Sequence, residues 1–199
     1  MTGRDGVEAN ARLTASTSAV LFALLAAEGV TILRIRGLLS VHVFIGMLLI
    51  PPVLLKMGST SYRFARYYLG SPAYRRDGPP PAVLRVIGPF AVVLTAVVLA
   101  SGVALLLVRP TVRPSLLSLH KASFVLWFGV MGIHVLGHLS DTTRRASLDW
   151  MRRTRRRVAG AGVRQWALVS SLCAGGLLGW LLVSQVGQWL ASAARDLGR

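Results

Sequence analysis

The chain has 199 residues, of which 53% are hydrophobic and only 15% are charged, and its mean hydropathy is +0.57. Soluble domains carry about 25% charged residues, so this composition excludes an ordinary soluble protein and indicates a membrane protein. The net charge of +16 does not require nucleic acid, because the arginines lie between apolar segments, where the positive-inside rule and anionic lipids account for them. The single cysteine, Cys173, excludes a disulfide framework or a thiolate metal site within one chain.

Five apolar segments are each long enough to cross a bilayer as a helix. We therefore predict an all-α membrane bundle with a four-helix core over residues 13–139, a loop over 140–164 and a fifth helix over 165–190. The four core spans are predicted at residues 13–33, 38–57, 83–108 and 115–139. Residues 1–12 are polar and are expected to form a loose tail, and residues 191–199 form a second tail.

The arginines in the loops predict the orientation of the chain. The loop over residues 140–164 contains eight of them, namely Arg144, Arg145, Arg152, Arg153, Arg155, Arg156, Arg157 and Arg164. The loop between the second and third spans is also strongly basic, and in a five-span protein both loops lie on one side. The positive-inside rule places that side in the cytoplasm, so we expect a cell-membrane protein with a cytoplasmic N-terminus and an external C-terminus.

Two of the four histidines lie in a repeated motif. The sequence LLSVH ends at His42, and LLSLH ends at His120. Each motif is preceded by a Gly-Val pair, at Gly29 and Gly102 respectively. This pattern indicates a duplicated two-helix unit that places one histidine at the same depth in each copy. Because the second and fourth spans run in the same direction, both histidines are predicted near the external face.

The fourth span carries three histidines on one face. At about 100° per residue, a single helical stripe holds six of its residues: His120, Phe124, Trp127, Met131, His134 and His138. Since His134 follows His120 by 14 residues, the two are separated by about 21 Å of axial rise. Ionisable residues inside membrane helices are usually functional, and this spacing predicts a second level of chemistry toward the cytoplasm.

Two neutral imidazoles on facing helices are able to hold a haem b between them. We expect His42 and His120 to be the axial ligands of an outer haem that is not covalently attached, since the chain contains no C-x-x-C-H sequence. Such a six-coordinate site suits one-electron transfer. A second, inner haem would use His134 or His138, with Lys56 as the best-placed partner and Met57 as the next.

The inner level has other interpretations. Lys56 could instead extend to the cytoplasmic interface, as long cationic side chains often do. His134 and His138, at positions i and i+4, could share a divalent metal ion.

Several other residues are candidates for the site. Glu28 is the only acid inside a span; it is expected to pair with Arg34 or Arg36, or to act as a proton or quinone ligand. Arg63 and Arg66 alternate with aromatic residues, which is typical of an interfacial helix, but either could also bind a haem propionate.

Glycines also suggest close contacts. Gly46, one turn after His42, could admit a flat macrocycle or an ordinary helix contact. In the fifth span, Gly175, Gly176 and Gly179 favour close helix packing or a homo- or hetero-oligomer.

The histidines at equal depth on parallel helices of a four-helix core resemble those of the membrane cytochromes b. This group includes bacterial cytochrome b561, ferric reductase-like transmembrane domains and the haem-binding membrane subunits of respiratory oxidoreductases. The 14-residue spacing from His120 to His134 is similar to the spacing with which those families stack two haems. The resemblance covers roughly residues 13–139 and departs at Lys56. It implies electron transfer with a quinol or a redox partner protein.

Two other functions remain open. A small non-haem transporter or assembly factor would use Glu28 and the histidines as a proton or cation path, and a purely structural subunit would need none of them. No G-x-G-x-x-G motif in a strand–helix context indicates a nucleotide site. If the chain belongs to an enzyme, we therefore expect an oxidoreductase component that receives its electrons from a quinol or another chain.

Overall fold

A computed structural model describes residues 3–76, 78, 82–187 and 190–191, with the side chains of residues 3 and 4 excepted. All the regular elements of this described part are helical. They are α1 (Gly3–Leu33), α2 (Ile35–Tyr68), α3 (Pro72–Arg76), α4 (Ala82–Leu107), a 3-10 turn (Pro110–Val112), α5 (Arg113–Arg145), α6 (Arg152–Arg155) and α7 (Ala161–Val183). The five long helices, α1, α2, α4, α5 and α7, are long and apolar enough to cross a membrane, which confirms the predicted fold class.

Several helices extend beyond the predicted spans. Residues 3–12, expected to be a loose tail, form the first turns of α1, because their polar groups find partners elsewhere in the chain; the amide of Asn10, for example, donates to the Ser59 carbonyl at 3.1 Å. Likewise, α2 continues to Tyr68 and α5 to Arg145. Of the predicted tail at 191–199, only residue 191 is described, and it is helical; the remainder lies outside the described residues.

The first four long helices pack as a closed ring. α1 contacts α2 and α5, while α4 contacts α5 and, less extensively, α2. The order around the ring is therefore α1, α2, α4, α5, and it places α2 and α5 on a diagonal. A two-fold axis along the helices would exchange the α1–α2 pair with the α4–α5 pair, which is the relation expected of a duplicated two-helix unit.

The fifth span packs against the outside of this ring, along α2. A Cβ built on Gly175 would lie 2.9 Å from the Cα of Leu48, and one on Gly179 would lie 2.9 Å from the Phe44 carbonyl oxygen. At Gly176, no atom of the described residues lies within 4 Å of the corresponding position. Two of the three glycines are thus used for close packing within the chain, so an oligomer formed through α7 would have to use its other face.

A buried charge network anchors the ends of the helices at the basic end of the bundle. Asp149 is only 2% exposed, and it accepts hydrogen bonds from Arg12 at 3.2 Å and from Nη2 of Arg164 at 2.8 Å. Arg12 is also 3.0 Å from Glu8, which reaches Arg145 at 2.8 Å. The loop predicted over residues 140–164 is therefore fastened to α1 and α7 rather than being only a solvated run of arginines.

The α2–α7 contact predicts a sharp difference between adjacent glycines. Gly175→Ala places a methyl group against the backbone of Leu48, which cannot move aside, so we expect a destabilisation of about 1–3 kcal/mol. Gly176→Ala is the matched control and should not destabilise, because open space surrounds that position. Thermal unfolding of both variants in detergent measures the difference, and equal midpoints would contradict the packing described here.

The Asp149 network predicts a stability that depends on pH. Burial by itself raises the pKa of the Asp149 carboxyl, but hydrogen bonds from Arg164 and Arg12 outweigh burial and hold the pKa below its ordinary value of 3.8. The stabilisation that the ionised Asp149 carboxylate gives to the folded state should therefore be complete above a pH of about 3.8. It should disappear as the pH falls through the lower pKa of the folded state.

Asp149→Asn should destabilise the chain by about 3–5 kcal/mol at neutral pH, because it leaves two buried arginines beside a neutral amide. Asp141→Asn is the control, since the Asp141 side chain is 61% exposed and lies 3.8 Å from Arg145; its effect should stay below about 1 kcal/mol. Thermal unfolding between acid and neutral pH tests both expectations, and indistinguishable variants would count against the network.

Candidate functional site

The structure brings His42 and His120 together across the centre of the ring. They lie on the diagonal helices α2 and α5, with ring centroids 6.4 Å apart and ring planes at 81° to each other. Both side chains are partly buried. The pairing predicted from the repeated motif is thus present in the fold, at the end of the bundle opposite the Asp149 network.

The orientation of the His42 ring is set by α1. Its Nδ1 lies 2.9 Å from Oε1 of Glu28 and 3.0 Å from Oγ1 of Thr31. The Thr31 hydroxyl donates its own hydrogen to the Glu28 carbonyl at 2.6 Å, so toward the ring it acts as an acceptor. A carboxylate also accepts, and Nδ1 of His42 therefore carries the hydrogen.

The orientation of the His120 ring is set in the same way by α4. Its Nδ1 lies 3.1 Å from the Val98 carbonyl oxygen and 3.0 Å from Oγ of Ser101. A carbonyl oxygen only accepts hydrogen bonds, so Nδ1 of His120 is again the protonated nitrogen. A Cβ built on Gly102 would lie 3.2 Å from Cε1 of His120, which shows how closely the ring packs against the α4 backbone.

The two hydroxyl groups have the same set of contacts in the two halves of the repeat. Thr31 donates to the Glu28 carbonyl and faces Nδ1 of His42, and Ser101 donates to the Val98 carbonyl and faces Nδ1 of His120. Glu28 therefore corresponds to Val98, and only Glu28 adds a side-chain acceptor. Each of these groups comes from the helix before the histidine-bearing helix. The sequence analysis did not identify Ser101, Val98 or Thr31.

The arrangement is chemically suited to a metal held between two imidazoles. With Nδ1–H committed to the protein, Nε2 of each ring keeps the lone pair that binds metals, and such second-shell hydrogen bonds are the usual companions of a histidine ligand. Two imidazoles that bind one ion from opposite sides have ring centres about 6.3 Å apart, since metal–nitrogen bonds are about 2.0–2.1 Å and each nitrogen lies about 1.1 Å from its ring centre. The observed separation of the ring centroids, 6.4 Å, is close to this value.

The number of protein ligands decides which kind of metal centre fits. Among the described residues, no group of three or more His, Cys, Asp or Glu side chains is placed to hold a metal ion. A bare ion would therefore lack ligands at the His42–His120 pair. A macrocycle that supplies four nitrogens of its own needs only two further ligands from the protein, which is the number of imidazoles in this pair.

The inner level differs from the outer one. The rings of His134 and His138 are 4.8 Å apart, and Nδ1 of His134 is buried without a hydrogen-bond partner. Lys56, within electrostatic range of both rings, donates a hydrogen bond to Ser18. Within the described residues, Nδ1 of His134 has no holding group comparable with Glu28 or Ser101, and the proposed inner ligand Lys56 already has a partner on α1.

The predicted stripe along α5 does face the interior of the bundle. His120, Phe124 and Trp127 are partly buried, whereas their neighbours Val125 and Leu126 are exposed. Between the two histidine levels, the Phe124 and Trp127 rings stack with centroids 6.1 Å apart. The indole N–H donates to Thr95 of α4 at 2.8 Å, so this part of the interior is filled by aromatic side chains.

Arg63 and Arg66 lie far from the outer pair. Arg63 follows His42 by 21 residues on one helix, or about 31 Å, and it lies within electrostatic range of His138 instead. Arg66 donates to Ser71 at 3.3 Å. Neither is close enough to bind a propionate of a haem at His42 and His120, so that interpretation holds only for a haem at the inner level.

Glu28 was expected to pair with Arg34 or Arg36, but in the structure its carboxylate contacts His42 instead. Both arginines are exposed, and the carboxylate turns inward to His42 because α2 folds back against α1 and offers a polar partner away from lipid. Gly46 faces this carboxylate, since a Cβ built there would lie 3.5 Å from Oε1 of Glu28.

Comparison of the chain with protein-family models, with curated proteins and with solved structures finds no match. The resemblance to the membrane cytochromes b therefore stays a prediction.

Proposed function

We propose that the chain is a b-type haem membrane protein that carries single electrons, with His42 and His120 as axial ligands. The observation that supports this most strongly is the pair of imidazoles on diagonal helices, 6.4 Å apart, each with its Nδ1–H fixed by the preceding helix. Nothing else in the described residues offers two equivalent metal-binding nitrogens at one depth.

Haem b would supply a one-electron redox centre when bound. The chain's own contribution is to hold two neutral imidazoles in place. Glu28 and Thr31 fix the tautomer of His42, and Val98 and Ser101 fix that of His120. If both imidazoles bound the iron, no coordination position would remain for oxygen, which would favour electron transfer over oxygen chemistry.

We propose one haem for each chain. At the inner level the His134 ring has no hydrogen bond at Nδ1, and Lys56 is engaged with Ser18. The predicted second haem would need both groups to rearrange. The aromatic side chains near Trp127 fill the space between the two histidine levels. This filled interior does not favour a second cofactor stacked below the first.

The setting of this function is the cell membrane, with the basic end in the cytoplasm, the N-terminus inside and the C-terminus outside. The positive-inside rule supports this orientation, and it places the histidine pair near the external face. A quinol or a redox partner protein would exchange electrons with the chain there, as a component of an oxidoreductase.

A transport function is the second candidate, and one observation favours it. The Glu28–His42 pair at 2.9 Å is also what a proton path would contain. The stacked Phe124 and Trp127 rings oppose this function, because they fill the interior between the two histidine levels with apolar surface.

The proposal predicts that His42→Ala and His120→Ala each reduce the haem content of the purified full-length chain by at least about tenfold, since even second-shell changes cost 10–100-fold in metal affinity. His138→Ala is the matched control on the same face of α5 and should keep its haem. The haem-to-protein ratio after detergent purification is the measurement, with size-exclusion profiles to show that all variants fold. Retention of haem by both outer variants, or its loss only in the control, would refute the assignment.

A further inference from the structure

The two histidines are held by groups of different charge. Thr31 presents a hydroxyl to Nδ1 of His42, and Ser101 presents a hydroxyl to Nδ1 of His120. The second ring also donates to the neutral carbonyl of Val98, whereas at the first ring the corresponding residue, Glu28, offers its carboxylate. The two copies therefore share the hydroxyl, and only the first copy places a negative charge beside its imidazole.

The charge of Glu28 is directed at the imidazole. Its side chain is 13% exposed, and that of His42 is 21% exposed, so water screens the pair only in part. Within the described residues, this carboxylate contacts Nδ1 of His42 and the hydroxyl of Thr31. Arg34 and Arg36, the cations nearest in sequence, are exposed, and the ion-pair partner of Glu28 among the described residues is His42.

A carboxylate that accepts a hydrogen bond from a ligating imidazole raises the basicity of that ring. A more basic ligand, together with a negative charge close by, favours the oxidised and more positively charged state of the metal. Hydrogen bonding around an axial ligand is one of the means by which proteins set the potential of a haem.

We propose that Glu28 is a positioning residue that makes His42 a stronger donor than His120 and thereby lowers the reduction potential of the haem. This inference rests on the proposed function. It assigns Glu28 to the tuning of the redox centre, while the corresponding residue beside His120, Val98, offers only a neutral carbonyl.

The test is a redox titration of the full-length haem-loaded protein. Glu28→Gln keeps the size of the side chain and its Oε1 acceptor but removes the charge. We expect the ratio of reduced to oxidised haem at a fixed ambient potential to rise about tenfold, which corresponds to about 59 mV for one electron. Ser101→Ala is the matched control; it removes a neutral contact while the Val98 carbonyl still accepts from His120, so the shift should be much smaller.

Glu28→Ser provides a second variant, because it removes the carboxylate and leaves His42 beside neutral oxygen atoms only, as His120 is. Like Glu28→Gln, this variant should raise the reduction potential of the haem, and it should keep about one haem for each chain. An unchanged potential in either haem-loaded variant, or an equal shift in Ser101→Ala, would overturn the proposal.

Loss of haem from both Glu28 variants would also overturn it, because Glu28 would then be needed for binding rather than for tuning. A wild-type chain that binds no haem would instead refute the proposed function itself, so the two failures are distinguishable.

Discussion

The hydrogen bond from Nδ1 of each central histidine to the preceding helix is the constraint on which the site depends. Without it, either nitrogen of an imidazole could carry the hydrogen and the ring would be free to turn. Glu28 on α1 fixes His42, and Ser101 on α4 fixes His120. These contacts exist only because each helical hairpin closes tightly and the two hairpins join into a ring, which brings the diagonal helices α2 and α5 face to face.

A bilayer environment accounts for the small number of polar side chains inside the bundle. Away from water, each polar side chain needs an internal partner, and the bundle supplies them in pairs, as in the contacts of Trp127 with Thr95 and of Lys56 with Ser18. The buried ion pairs of Asp149 with Arg12 and Arg164 lie at the basic end. One end of the molecule is thus an anchor, and the other presents the two histidines.

Much of the fold could be predicted from the sequence, because hydrophobic runs report membrane helices directly and the repeated motif placed His42 opposite His120. The partners of these rings were harder to predict. Val98 contributes only a backbone carbonyl, which has no signature in the sequence. Glu28 was assigned to nearby arginines because proximity in sequence says nothing of how α2 folds back on α1. The first turns of α1 were missed because Arg12 pairs with a residue 137 positions away.

The central claim is that two fixed imidazoles hold one haem, and the most direct measurement is the reduced-minus-oxidised optical spectrum of the wild-type protein, with haem and protein quantified on the same sample. The account predicts a sharp α-band of a six-coordinate haem at about one haem for each chain. Absence of haem after expression with an adequate haem supply would contradict the function, and about two haems for each chain would contradict the single site.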